Sequence, residues 1–408
     1  MRPKFNPALG QVLAVCLVLA PASWCEAKYK VLHSFTGGLD GGLVATTPAL
    51  DGSGNLYGTT AWGGTSKDCE DYCCGVAYEL TPKGDGEWKE SVLFNFGEAT
   101  GGAIRQPLLF DSKENLFGAT VASIKVGGPA YIFELTPREG QWNFDPIYDQ
   151  GGYCLVFDQA GDLYGCIGPG VIGELSPSSS GWTYTALYDG CGGPCRDGNI
   201  PEAPLSWDGH GNLYGTMLFG GNVPPKCHGS AGCGVAFRMT PKGDGTWTYN
   251  VLHRFAASKT DGYYPYAGLT VDAAGNAYGV TSAGGKYGTG TFFKLTPTKS
   301  GPWKETILYE FPNCNEGCVP AFTLVADKAG NICGSAAGGL DCEGIGCGVV
   351  FKLAPQKNGA WKYSVVHKLN GNDGAFPYGV VLDDKGDIFG TTMQGGKYNL
   401  GVAFEITP

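Results

Sequence analysis

Long apolar runs and excess positive charge are both missing from this sequence beyond its first residues. After Val12–Ala20, no run reaches the roughly 18 consecutive apolar residues of a transmembrane helix, so we expect no membrane span. Lysine and arginine together number 28, against 38 aspartates and glutamates, and the net charge is −10. This balance excludes the basic stripe that nucleic-acid binding requires, so we expect no nucleic-acid partner.

Familiar catalytic motifs are also missing. The sequence contains no Gly-x-Ser-x-Gly elbow, no His-Glu-x-x-His pair and no phosphate-binding loop. The alternating aspartates of a calcium-binding loop are missing too. The sequence therefore assigns no catalytic residue, no metal ligand and no cofactor, and it favours a protein that is not an enzyme.

The first 27 residues have the pattern of a secretory signal peptide. Arg2 and Lys4 form a charged start, Val12–Ala20 is apolar, and a small residue, Ala27, ends the segment. We therefore expect an exported protein, in the periplasm, outside the cell or on its surface. Residues 28–408 are predicted to form one domain.

A phrase of the form Asp-x-x-Gly-Asn-Leu-Tyr-Gly recurs seven times at intervals of 47 to 64 residues. The copies begin at Asp51, Asp111, Asp158, Asp208, Asp272, Asp327 and Asp383. Repetition at this period is typical of an array of supersecondary units. The units run over about 28–96, 97–148, 149–188, 189–255, 256–311, 312–369 and 370–408. Because an Asp side chain can bond backbone amides two residues on, we interpret the phrase as a structural turn.

Each unit contains four short strand-like runs and no helical periodicity. In the first unit these runs are Thr47–Leu50, Asn55–Thr60, Gly75–Thr81 and Trp88–Phe96. The pattern predicts an all-β fold, a seven-bladed β-propeller with four antiparallel strands per blade. Lys28–Phe35 matches the fourth strand of other units, and the last unit lacks that strand, so we expect the N-terminal strand to close the ring. An open β-solenoid is the alternative, and it would not need this strand.

Cysteine is abundant, and removing residues 1–27 leaves 14 of the 16 cysteines. In an exported protein this even number indicates disulfides. The expected pairs are Cys69/Cys74, Cys227/Cys233, Cys342/Cys347, Cys191/Cys195, Cys314/Cys318 and Cys154/Cys166. Cys191/Cys195 and Cys314/Cys318 also have zinc-ligand spacing, but they belong to distant blades, so disulfides are favoured. Cys73 and Cys333 are left unassigned.

Three phrases of the repeat resemble a known family. Val31–Phe35, Gly54–Thr60 and Gly75–Pro82 are similar to the GloVer tandem repeat of exported bacterial proteins, including ones from Gloeobacter and Verrucomicrobia. The resemblance covers nearly all of residues 28–408 and implies export, but it implies no particular activity. The abundant cysteines depart from that pattern.

Variable loops are the places where a propeller usually binds its ligands. The connections between second and third strands and between blades vary in length, carry most cysteines and lie on one face. Candidate ligand-binding residues there are Trp62, Phe219, Tyr72, Tyr287, Tyr398 and His228. We therefore predict an exported, monomeric scaffold that binds a glycan or a protein on its disulfide-rich face. The alternatives are a carbohydrate-active hydrolase or lyase using the loop acids Asp68, Glu70, Asp71, Glu316, Asp341 and Glu343, or a purely structural envelope component.

Overall fold

Seven four-stranded antiparallel sheets form a ring, as the sequence predicts. The computed structural model describes residues 27–65, 74–102, 104, 106–121, 129–167, 170–190, 196–224, 227, 231–256, 258–299, 301–339 and 346–408. The predicted signal peptide lies outside these residues except for Ala27. Among the described residues, no helix is both long and apolar enough to span a membrane.

Each blade is a sheet whose strands follow one another in chain order. The first blade contains Ala49–Leu50, Leu56–Thr59, Gly75–Pro82 and Trp88–Phe96. The second contains Leu109–Phe110, Leu116–Ala119, Ile132–Arg138 and Gln141–Tyr148. The third contains Tyr153–Phe157, Leu163–Cys166, Val171–Ser178 and Gly181–Asp189. The fourth contains Ser206–Trp207, Leu213–Met217, Val235–Pro241 and Trp247–Arg254.

The remaining blades have the same order, with one short accessory pair. The fifth blade contains Thr270–Val271, Ala277–Thr281, Thr291–Thr296 and Lys304–Glu310. The sixth contains Cys318–Ala326, Ile332–Ala337, Val349–Pro355 and Trp361–Lys368. The seventh contains Ala375–Leu382, Ile388–Gln394, Val402–Thr407 and Lys28–Ser34. Gly262–Tyr263 pairs with Ala283–Gly284, and short 3₁₀ turns cover Glu98–Thr100 and Cys314–Glu316.

The N-terminal strand closes the ring as predicted. Lys28–Ser34 runs antiparallel to Val402–Thr407, from Lys28 opposite Thr407 to Ser34 opposite Val402. It is the outermost strand of the seventh blade. The pairing covers a strand edge that would otherwise be open to another chain.

The repeated aspartate holds the turn between first and second strands. Asp51 Oδ1 accepts hydrogen bonds from the backbone N–H groups of Ser53 (2.9 Å) and Asn55 (2.8 Å). The other six aspartates accept the equivalent pair of amide bonds. The phrase is therefore a structural turn, as expected from the sequence. Asn55 belongs to this turn, so the second strand begins one residue later than predicted.

The glycine that ends each phrase has a different role, because it lies inside the second strand. A Cβ on Gly215 would come within 2.6 Å of Phe237 Cζ, and one on Gly390 within 2.4 Å of Phe404 Cζ. Each of these rings comes from the third strand of the same blade and is fully buried. Glycine is needed here because the ring packs directly on the backbone.

Repeated tryptophans at the start of fourth strands pack blade against blade. Trp361 of the sixth blade meets Phe292 of the fifth at 5.1 Å, edge to face. Trp182 of the third blade meets Phe117 of the second at 5.6 Å. Edge-to-face contacts of this kind are favourable beyond their buried area. These tryptophans are therefore packing residues between neighbouring blades.

Candidate functional site

Two faces of the ring differ in character. The turns between first and second strands and between third and fourth strands lie on one face, which we call the uniform face. The connections between second and third strands and between blades lie on the other, which we call the cysteine-rich face. This division follows from the alternating strand directions within each blade.

The uniform face contains a cavity of about 790 Å³ between the turns of the first, sixth and seventh blades. Asp51, Asp327 and Asp383 line it, but their carboxylates already accept amide hydrogen bonds of their own turns. For Asp327, burial alone would raise the pKa, yet the bonds donated by Asn331 keep that pKa below its usual value. Asp327 is therefore held as an ionised turn-former, which does not suit general acid catalysis.

The centre of the ring is constricted. The hydroxyl groups of Thr47 in the first blade and Thr323 in the sixth are 2.9 Å apart. Thr391 donates to the backbone oxygen of Thr46 and so ties the seventh blade to the first.

Disulfides reinforce the cysteine-rich face. Cys227–Cys233 lies between second and third strands of the fourth blade, and Cys314–Cys318 lies in the connection to the sixth blade. Cys74 and Cys347 are also disulfide-bonded. Cys69 and Cys342, predicted to pair with them, lie outside the described residues, as do Cys191, Cys195 and Cys73.

The predicted disulfide between Cys154 and Cys166 is not formed. Both cysteines, like Cys333, are free and buried. Cys154 lies at a bulge with φ +61°, and Cys166 is opposite Tyr153 rather than opposite Cys154. The thiols are hydrogen-bonded neighbours, and burial raises the pKa of the Cys154 thiol well above its usual value. Burial likewise raises the pKa of Cys333 to about 12, so the Cys154 and Cys333 thiols stay protonated and unreactive at neutral pH.

The predicted ligand-binding rings lie on four different blades. Trp62 and Phe219 hold equivalent places, each paired through its backbone with the connection from the preceding blade, at Gly42 and Asn199 respectively. Phe219 is half-buried and packs edge to face on Tyr264. Tyr287 and Tyr398 are exposed. Tyr72 and His228 lie outside the described residues. The predicted rings therefore do not form one continuous platform.

Three exposed apolar residues lie on loops that are joined where the ring closes. Leu39, Trp62 and Tyr398 are 69%, 42% and 45% exposed. Their loops bond to one another: Gly64 donates to the Gly38 oxygen at 2.8 Å, and Leu43 donates to the Leu400 oxygen at 2.7 Å. We call Leu39, Trp62 and Tyr398 the closure patch. The sequence did not identify Leu39 as a candidate, because the repeat pattern does not predict which loops of different blades contact one another.

Other exposed apolar residues follow the same arrangement. Ile200 and Val223 lie on the connection into the fourth blade and on its long loop. Val319 lies at the start of the first strand of the sixth blade, beside the loop of the fifth blade that carries Tyr287, and its N–H donates to the Thr289 oxygen at 3.0 Å. All seven large apolar side chains exposed among the described residues thus lie on the cysteine-rich face.

Only one of the predicted loop acids lies within the described residues. Glu316 is a surface residue whose carboxylate lies 4.0 Å from Lys368 Nζ. The other five candidates, Asp68, Glu70, Asp71, Asp341 and Glu343, lie outside the described residues. The hydrolase alternative therefore stays a prediction.

Comparison with known proteins identifies the repeat. The sequence model described as the Gloeobacter/Verrucomicrobia repeat matches residues 128–343 and 225–408, more than half of the chain. No curated protein sequence matches.

Solved structures share the fold at low sequence identity. PorZ, a surface component of the type-IX secretion system of Porphyromonas gingivalis, is 13% identical with a TM-score of 0.53. The match covers 87% of this chain and 46% of PorZ, so this chain spans less than half of that protein. A luciferin-regenerating enzyme is 14% identical with a TM-score of 0.45, covering 77% of this chain and 93% of the enzyme. At these identities the likeness concerns the fold alone.

Proposed function

We propose that this chain, which belongs to the Gloeobacter/Verrucomicrobia repeat family, is an exported scaffold that binds a protein ligand on its cysteine-rich face. The observation that carries the proposal is the one-sided distribution of exposed apolar side chains. Exposed apolar groups scattered singly are ordinary, but grouping on one face is typical of an interaction surface.

The chemistry of these side chains favours a protein over a sugar. Four of the seven are aliphatic: Leu39, Ile200, Val223 and Val319. Aliphatic groups cannot stack on a sugar ring, whereas they pack well against apolar side chains of a partner. Short disulfide loops beneath them hold the surface rigid, which reduces the ordering cost of binding.

A glycan is the second candidate, because Trp62, Tyr287 and Tyr398 are exposed rings. Lys286 and Lys397 lie over the adjacent tyrosine rings, with Nζ 4.9 Å and 5.1 Å from the ring centres. Rings beside cations suit an acidic sugar. Export is proposed from the disulfides, which persist in oxidising compartments.

Peptide display against the full chain tests the proposal. Peptides selected by the wild type should lose at least about tenfold in affinity, or ~1.4 kcal/mol, when Leu39→Ser and Trp62→Ala are combined. The matched control combines Lys83→Ser and Lys242→Ser, two exposed turn residues of the uniform face, and should leave affinity unchanged.

Two outcomes would count against a protein ligand on this face. Peptide affinity that falls only in the uniform-face variant would move the site to the opposite side. Glycan-array binding that is lost with Trp62→Ala, without any selected peptide, would favour the glycan.

A further inference from the structure

Each boundary between blades has a recurring contact on the outer strands. In each contact, a residue near the end of one blade's fourth strand faces a residue of the next blade's fourth strand. The second residue lies two positions after the place where most fourth strands have their tryptophan. Five boundaries use stacked or tilted rings with short centroid distances. These pairs are Phe94–Phe144 at 5.5 Å, Tyr148–Tyr184 at 4.9 Å, Tyr188–Tyr249 at 3.8 Å, Tyr309–Tyr363 at 4.7 Å and His367–Tyr29 at 3.9 Å.

Two boundaries replace the second ring by glutamate. Glu90 and Glu305 take this place in the first and fifth blades, where the preceding blade supplies His33 and His253. All three histidines of this position contact an aspartate from the following connection. These pairs are His33–Asp40 at 3.1 Å, His253–Asp261 at 3.1 Å and His367–Asp373 at 2.9 Å.

At the boundary between the fourth and fifth blades, three potential metal ligands converge. His253 Nε2 lies 3.1 Å from Asp261 Oδ2 and 3.6 Å from Glu305 Oε2. The three ligand atoms are all within 4.8 Å of one another, and no other such group occurs in the described part of the chain. Tetrahedral zinc with bonds of about 2.0–2.1 Å separates its ligands by roughly 3.3 Å. The observed distances between ligand atoms, from 3.1 Å to at most 4.8 Å, therefore include the ligand separation that a bound zinc ion requires.

Burial makes two ionised carboxylates unfavourable here unless a proton or a bound cation offsets their charge. The side chain of Asp261 is 1% exposed and that of Glu305 is 16% exposed. Two carboxylates taken out of water repel each other, and a single imidazole can balance only one negative charge. Glu305 Oε1 is also buried without a hydrogen-bond partner among the described residues.

We propose that His253, Asp261 and Glu305 bind one divalent transition-metal ion, with zinc as the expected occupant. An imidazole with carboxylates suits zinc, whereas calcium and magnesium prefer oxygen ligands alone. The ion links the outer strand of the fourth blade, the connection and the outer strand of the fifth blade. At five other boundaries, a pair of stacked or tilted rings occupies the position that the ion would occupy here.

The chain offers its own matched variants for a test. Glu305→Tyr introduces the ring that faces His367 at the equivalent boundary, so the variant is expected to fold while it loses one ligand. Glu90→Tyr makes the same change at the boundary with His33, where the described residues do not converge into a ligand set. Glu305→Gln, which keeps the size of the side chain, is the second variant.

Zinc titration of the full, chelator-treated chain by calorimetry provides the readout. We expect the wild type and Glu90→Tyr to bind one zinc ion per chain that both Glu305 variants lose. Zinc should raise the Tm of the first two proteins only, and calcium should bind to none of them at this site.

Equal zinc stoichiometry in the wild type and in either folded Glu305 variant would overturn the proposal, because the ion would then lie on other histidines such as His210. A wild type that binds no zinc at 100 μM (about a hundredfold above micromolar affinity) would overturn it as well.

Discussion

Tyr78 occupies a position where five other blades have phenylalanine. Its ring is fully buried, and its hydroxyl has no hydrogen-bond partner among the described residues. The equivalent residues are Phe133, Phe237, Phe293, Phe351 and Phe404. A buried hydroxyl without a partner keeps its desolvation cost, so Tyr78→Phe should raise the free energy of unfolding by about 1 kcal/mol. The midpoint of urea unfolding should rise without a change in slope.

A neighbouring tyrosine provides the control. The Tyr57 hydroxyl donates to Glu79 Oε1 at 2.7 Å, so Tyr57→Phe should lower the unfolding midpoint. If both substitutions shift the midpoint in the same direction, hydrogen bonding is not what separates them.

Single residues also mark the limit of what sequence predicts. The seven turn aspartates could be interpreted correctly, because their bonds are local and depend only on spacing. Cys154 could not, because its bulge moves it out of register with Cys166. Glu305 could be seen to break the ring pattern, but only the contact between blades shows that it faces His253.

At the scale of elements, the outer strands of the first and seventh blades form a boundary that should respond to pH. Burial, and then the nearby Asp40, raise the pKa of Glu90 to about 7, while Lys89 acts in the opposite direction. The folded state therefore binds a proton that the unfolded state has released between about pH 4.5 and 7. Since the folded state binds more protons in this range, stability should fall as pH rises through it.

Thermal unfolding at several pH values checks this expectation. Glu90→Gln cannot ionise, so its Tm should exceed that of the wild type at pH 7.5 and approach it at pH 4.5. The Tm of the wild type should fall more steeply over this range than that of the variant. Parallel Tm curves for the two proteins would show that Glu90 does not titrate in this range.

Strands themselves were predictable where their ends depend on local turns. The third and fourth strands of the first blade were predicted within one residue, because Pro82 and Trp88 bracket a tight turn. The first strand was predicted two residues too long at its start, and the first strands of the second, fourth and fifth blades are equally short, with two residues each. The grouping of Leu39 with Trp62 and Tyr398 was not predictable, because it depends on which loops of different blades touch.

For the whole molecule, ring closure depends on a strand contributed from the other end of the chain. Lys28–Ser34 completes the seventh blade, and the adjoining Phe35 is fully buried against Tyr78 of the first blade, with ring centres 4.9 Å apart.

A chain that lacks residues 28–36 should expose the edge of Val402–Thr407, and such an edge promotes association between chains. We expect this chain to associate in analytical ultracentrifugation and to unfold at a lower temperature than the intact protein. A synthetic peptide of residues 28–35 should reverse this association and raise the Tm, because added strands bind open edges through backbone hydrogen bonds. The same peptide with Val31→Asp and Phe35→Asp should not, since burying these charges is unfavourable. A shortened chain whose state of association and Tm equal those of the intact protein would mean that the first and seventh blades hold the ring closed without this strand.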